Sequence, residues 1–199
     1  MASKLFEPIR VGDVQLRHRI ALAPLTRYRA NDSHAPLPIV ATYYSQRGST
    51  PGTLLITEAT FISAEASGYA NVPGLFTDEQ LQVWRKVTDA VHAAGSTIFV
   101  QLWALGRAAK PDELEKKGFT LHSSSAVPMT EEDAVPREMS EEDIQRYIKT
   151  YAQAAKNAVE VAGFDGVELH GANGYLIGKR LQSSSRSLLA VFSSICIHS

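Results

Sequence analysis

One cysteine, Cys196, stands in 199 residues. A single thiol cannot close an intrachain disulfide, which excludes a disulfide scaffold and suits a reducing compartment. Charge of one sign is lacking as well. Twenty basic side chains against 21 acidic ones give a net charge of −1, so no field draws in nucleic acid or an anionic membrane. Long apolar runs are missing: Leu188 to Phe192, the longest near the C-terminus, falls far short of the ~20 residues that cross a bilayer. The opening Met1-Ala2-Ser3-Lys4-Leu5-Phe6-Glu7-Pro8 has none of the apolar core of a signal peptide. The chain is therefore expected to be soluble and cytoplasmic, with no nucleic-acid or membrane partner. There is no GxGxxG, no Walker A and no GxSxG elbow, which removes the common dinucleotide, P-loop and serine-hydrolase readings. His18, His34, His92, His122 and His198 are scattered without ligand spacing, and no metal is expected.

What is there alternates between strand and helix signals, the mark of a parallel α/β architecture. Arg19 to Ala23 is a short apolar run stopped by Pro24 and predicts a first strand. Pro38 to Arg47 predicts a helix with Ile39, Val40, Tyr43 and Tyr44 on one face and Gly48 as its stop. Thr53 to Phe61 follows a Pro-Gly turn, is rich in β-branched residues, and predicts a second strand. Thr77-Asp78-Glu79-Gln80 has the capping-box pattern, and Leu81, Trp84, Val87 and Val91 recur at helical spacing until Gly95. Thr97 to Trp103 predicts a third strand. The connection from Ala104 to Met139 is too long for an ordinary link and is expected to cap or line something. Ser140 opens a helix whose Ile144, Tyr147, Ile148, Tyr151, Ala155, Ala158, Val159 and Ala162 share a stripe. Gly163 ends it, and Gly166 to His170 predicts a fourth strand. Four strands and three complete helices make half of an eight-fold barrel.

In such barrels the chemistry sits at the C-terminal strand ends. Pro24-Leu25-Thr26-Arg27 follows the first strand, Glu58-Ala59-Thr60 closes the second, Gln101-Leu102-Trp103 the third, and His170, Asn173 and Tyr175 follow the fourth. Taken singly, each has a plainer reading. A strand-end His is more often structural, a strand-end Gln often satisfies local backbone, a Trp is usually core, and Thr26 is a turn residue. Arg27 and Arg29 read as solvated loop charges. Together, His170, Asn173 and Tyr175 converge two hydrogen-bond donors and a phenol on one strand mouth. That arrangement can hold a developing enolate as an oxyanion hole does, and can deliver a proton from the Tyr.

In order and type these segments resemble the old yellow enzyme family, the FMN-dependent ene-reductases, from about Leu5 to Ile177. The resemblance implies the N-terminal half of a (β/α)8 TIM barrel, FMN as cofactor, NAD(P)H as reductant, and a small enone or enal as substrate. It implies that Pro24, Leu25 and Thr26 lie along the flavin edge, with the Thr26 hydroxyl on the ring carbonyl. Ala59 would let backbone approach the ring, Gln101 would pair with its pyrimidine side, and His170 would touch both flavin and substrate. Trp103 would wall the substrate pocket, His170 and Asn173 would hold the carbonyl, and Tyr175 would be the general acid. The segments from Pro51 to Thr60 and from Ser123 to Pro128 are similar to fungal secondary-metabolite members, including the ergot-alkaloid enzymes that act on chanoclavine-I aldehyde.

The pattern stops after Ile177. Family members continue with an Asp-Gln-Phe-like helix start, whereas Gly178-Lys179-Arg180-Leu181 and a serine-rich tail follow here. The expected organisation is a partial flavin oxidoreductase domain over residues 1–177 and an aberrant, unstructured tail over residues 178–199. Strands five to eight, the phosphate-binding loops and the basic residue beside the flavin N1 are not found. The expectation is a truncated, inactive remnant that binds FMN poorly. The alternative is an active reductase rescued by self-association through open strand edges.

Overall fold

The computed structural model describes residues 3–178. The tail reading therefore lies outside the described residues, apart from Gly178. The chain opens with an antiparallel hairpin, β1 (Ile9–Val11) and β2 (Val14–Leu16), turned by Gly12 at φ +57°. The run of barrel units follows: β3 (Ala21–Leu22), α1 (Ile39–Arg47), β4 (Leu54–Phe61), α2 (Asp78–Ala93) and β5 (Thr97–Trp103). The long connection holds α3 (Pro111–Glu115) and a small parallel pair, β6 (His122–Ser123) and β7 (Arg137–Glu138). Then come α4 (Glu141–Lys156) and β8 (Gly166–Leu169).

Strands β3, β4, β5 and β8 form one all-parallel sheet in that order. Among the described residues it is not closed into a barrel, so β3 and β8 are its edges. The predicted strands stand where the sequence places them, β5 with the same bounds and β3 reduced to two residues. The hairpin was not anticipated.

The helices form by local rules. Thr77 accepts from the Gln80 N–H and the Gln80 side chain returns to the Thr77 N–H, so the capping box that starts α2 is complete. Ser140 and Asp143 do the same for α4. Gly163, at φ +73°, ends the last helical stretch. Two stripes differ from their predicted form. On α1 the buried residues are Val40 and Tyr44, while Ile39 is 59% exposed. After α4 the backbone widens into a π turn over Asn157–Val161. The extra residue rotates the face, so Ala158 is buried and Val159 turns outward.

The main core lies between sheet and helices, with Trp84, Tyr44, Tyr151, Leu55, Ile98 and Leu102 fully enclosed. Burying side chains of this size is the dominant stabilising term, roughly 1.5–3 kcal/mol each. Trp84 also donates its indole N–H to the Gly74 carbonyl at 3.1 Å. A second cluster gathers Ala59, Phe61, Trp103, Leu105 and Leu114, with Tyr69 and Tyr175 packed on it. The long connection supplies Leu105 and Leu114, and so lines the back of the strand mouths, as its length implied.

Candidate active site

The pairing of β4 with β5 shifts register between Ile56 and Ala59. This irregularity would orphan backbone groups, and side chains repair it. The Glu58 N–H donates to the Tyr44 hydroxyl at 2.8 Å, and the Gln101 N–H donates to Thr57 Oγ1 at 3.2 Å. Beyond the shift, Ala59 stands opposite Gln101, and both face the mouth of the sheet.

Glu58 then fixes the segment after β3. Its carboxylate accepts the Arg27 N–H at 2.9 Å across 31 residues of chain. The side chain is 1% exposed, and burial raises its pKa from 4.5 to about 7 against the pull of the Arg27 hydrogen bond. Sequence reasoning noted Glu58 at a strand end and gave it no role.

Beyond β8 the chain is bent by two consecutive left-handed residues, Asn173 at φ +59° and Gly174 at φ +73°. Asn is among the few side chains that tolerate this conformation. The His170 N–H continues the ladder to the Leu102 carbonyl at 3.0 Å, and the Leu176 N–H reaches the Ala104 carbonyl at 3.3 Å. Gly106 lies beneath this bend: a Cβ there would come within 3.1 Å of the Leu176 backbone. Its bareness lets the Tyr175 segment settle against the third strand.

These elements meet in a cleft of about 570 Å³ lined by Pro24, Thr26, Ala59, Gln101, Trp103, Glu168, Leu169, His170, Gly171, Ala172, Asn173 and Tyr175. Every residue that the resemblance gives a cofactor, substrate or catalytic role lines it except Leu25, which is 49% exposed and not part of the lining. Glu168 is the charged lining residue to which sequence reasoning gave no role. It stands opposite Gln101 in the β5–β8 register, and Gln101 Nε2 donates to its Oε1 at 2.7 Å. Its position two residues before His170 was the available signal, because alternate residues of a strand share a face.

The rings are mutually oriented. Trp103 stacks on His170 at 6.0 Å between centroids, and Tyr175 stands edge-on to both, at 4.8 Å from Trp103 and 4.9 Å from His170. The Ala172 N–H donates to His170 Nδ1 at 3.4 Å. With Nδ1 accepting, the proton of the neutral ring sits on Nε2, as assigned from this hydrogen bond. Burial lowers the His170 pKa, with the Glu168 charge opposing it, so the neutral form prevails at pH 7. Burial likewise raises the Tyr175 phenol, which keeps its proton. The Trp103 indole N–H is buried and finds no hydrogen-bond partner among the described residues. The arrangement can thus offer hydrogen-bond donors to an oxygen, and a phenolic proton, from one wall.

Charge in the cleft is one-sided. Among the described residues its lining holds one carboxylate, Glu168, and no Lys or Arg. Among the described residues no group of three or more His, Cys, Asp or Glu could hold a metal, and no helix is long and apolar enough to cross a membrane.

Comparison with known proteins sets this geometry in a family. The chain is 60% identical over 184 residues to the NADP-dependent oxidoreductase lnbE of Aspergillus flavus, covering 92% of this chain and 48% of that protein. It is 59% identical over 181 residues to the chanoclavine-I aldehyde reductase fgaOx3 of Penicillium roqueforti, covering 90% and 49%. To the protein named "Probable inactive reductase easA" of Epichloe festucae var. lolii it is 56% identical over 181 residues, covering 91% and 48%. The chain thus spans about half the length of the curated relatives it matches. The crystal structure of Old Yellow Enzyme from Pichia sp. AKU4542 superposes with a TM-score of 0.87 at 39% identity, over 92% of this chain and 50% of that one. A model of the NADH:flavin oxidoreductase / NADH oxidase family matches residues 4–186, and the chain belongs to that family.

Proposed function

We propose that this chain carries the ring-facing, carbonyl-holding and proton-delivering half of an FMN- and NAD(P)H-dependent ene-reductase site. The substrate class is an α,β-unsaturated aldehyde or ketone of fungal secondary metabolism, of the chanoclavine-I aldehyde type that one relative's name specifies. We further propose that the 199-residue chain by itself is inactive and cytoplasmic, its reductase unit being residues 1–177. One observation carries the reading: His170, Asn173 and Tyr175 line one cleft with Thr26, Ala59 and Gln101.

FMN fits the lining in part. The Thr26 hydroxyl, the Gln101 amide and the small Ala59 side chain suit a flat polar ring. The phosphate finds no match among the described residues, whose lining offers a carboxylate and no cation. Bound FMN supplies hydride, with NAD(P)H as its reductant. The chain's own groups do the rest. His170 Nε2–H and the Asn173 amide donate to the substrate oxygen as negative charge builds there, which lowers the barrier in the manner of an oxyanion hole. Tyr175 gives its phenolic proton to the α-carbon as general acid. Trp103 excludes water from that face and fixes the tilt of the substrate.

Two features of the described residues support inactivity of the chain alone: a lining without a cation, and the unpaired edges β3 and β8. Those same edges favour the second reading. Two copies could pair β8 of one with β3 of the other, keeping every strand parallel, and self-association would then restore a closed ring. Monomeric light scattering with a single reversible melt would remove that reading.

The site itself is tested by grafting strands five to eight of a full-length relative after Ile177. NAD(P)H-dependent reduction of a small enone should then appear. Tyr175→Phe should slow substrate reduction ~10²–10⁴-fold, the usual worth of a positioned general acid, while flavin reduction stays near wild type. Equal loss in both half-reactions refutes the role given to Tyr175.

A further inference from the structure

We propose that Glu168 is a positioning residue that sets the polarity of Gln101, so that the floor of the cleft presents a hydrogen-bond acceptor and selects ligands carrying an N–H there. The inference rests on the ring-facing role proposed for Gln101, and adds a residue and a selection rule to it.

Glu168 and Gln101 are register partners on adjacent parallel strands, and both line the cleft. A primary amide is symmetrical in shape, and rotation about its last bond exchanges donor for acceptor at little steric cost. Something must break that symmetry if the residue is to recognise a ligand. Glu168 does so at 2.7 Å, because a carboxylate accepts hydrogen bonds and has no proton to give. The Gln101 NH2 is therefore held toward Glu168, and its carbonyl oxygen is directed away from it. Gln101 is 8% exposed and its backbone N–H is held by Thr57, and the bond to Glu168 sets the rotation of its amide. A ligand edge bearing an imide N–H complements that oxygen. An edge bearing only acceptors meets it with repulsion, and a buried mismatch of this kind is costly. Glu168 is also the first charge beyond burial to act on His170, so one side chain tunes both walls of the cleft.

The test uses the full chain and two flavin rings that lack phosphate, lumiflavin and its N3-methyl analogue. Binding is read by quenching of flavin fluorescence. Wild type should bind lumiflavin about ten-fold or more tighter than the N3-methyl ring, the size of one hydrogen bond to a buried group. Glu168→Gln can donate as well as accept, frees the amide to rotate, and should reduce that preference to less than about three-fold. Glu168→Asp keeps the charge and shortens the reach. It should lose the preference equally while leaving the His170 titration, followed by NMR, where it stands in wild type. In Glu168→Gln that titration should move down. Independently of any ligand, the Gln101 side-chain amide protons should exchange slowly in wild type and faster in both variants. Slow exchange retained in both variants, with circular dichroism unchanged, overturns the positioning role. Slow exchange in wild type that is lost in the variants, without lumiflavin binding, would uphold the positioning and sink only the ring-facing reading.

Discussion

The two middle strands of the sheet and its two outer strands meet different surroundings. Strands β4 and β5 are buried along most of their length, whereas all four residues of β8 are half-exposed and β3 is two residues long with Ala21 exposed. The helix layer behind the middle strands is complete enough to enclose Trp84, Tyr44 and Tyr151. Nothing among the described residues pairs with the outer edges. The site is divided along the same line. Ala59, Gln101 and Trp103 stand on the middle strands, while His170, Asn173 and Tyr175 hang from the edge strand and the bend after it. Ala59 and Gln101, proposed to face a flat ring, thus stand on the buried strands, whereas the residues proposed to handle the substrate oxygen and proton stand on and beyond the half-exposed edge strand.

The comparison can be broken most strongly at its buried side. Trp84→Ala should cost ~3–5 kcal/mol, because it opens a cavity in the main core and strands the Gly74 carbonyl. Leu169→Ala on the half-exposed edge should cost ~1–2 kcal/mol, below the usual range for a fully buried leucine. Thermal melts of the two variants decide this, and equal losses would mean that β8 is as well supported as β5.

A pH effect of nearly the first size should come from Glu58. Its folded pKa of about 7 lies above the ordinary 4.5, so the folded state holds a proton that the unfolded chain releases. The stability is fully present below about pH 4.5 and is lost as pH rises to 7 and above. With 1.36 kcal/mol per unit, the loss is about 3 kcal/mol. Glu58→Gln keeps an acceptor for the Arg27 N–H and should flatten this window, being more stable than wild type at pH 8. A variant that melts with the wild-type pH profile would show that Glu58 is not the group responsible.

Legibility in the sequence followed the same division. The boundaries of β5, the capping box of α2 and the Ser140 start of α4 could be read because a few neighbouring residues settle them. The hairpin Ile9–Leu16 was missed although Gly12-Asp13 is a two-residue turn signal, because its strands are three residues each and carry little periodicity. The register shift at Thr57 and Glu58 was out of reach, since it depends on a hydroxyl from α1. The π turn after Lys156 was invisible to a 3.6-residue period and put Val159 on the wrong face. His170, Asn173 and Tyr175 were legible because they lie within six residues of one another, whereas the Glu168–Gln101 bond required the pairing of two strands separated by 67 positions. Leu25 was carried by the resemblance alone, and it is the one residue that stands outside the cleft.

A smaller effect separates the ring from its phosphate. If the lining recognises the ring alone, FMN and riboflavin should bind the 199-residue chain within about three-fold of each other, because no cation among the described lining residues rewards the phosphate. Equilibrium titration followed by flavin fluorescence measures both. A preference for FMN of more than about a hundred-fold would place a phosphate-binding cation where the described residues have none.

The most direct test of the half-site account is the flavin content of the purified 199-residue chain. Absorbance between 350 and 500 nm, after FMN loading and gel filtration, should show a colourless protein, since ring contacts without a phosphate grip release FMN during separation. A yellow protein carrying stoichiometric FMN at neutral pH would contradict the account.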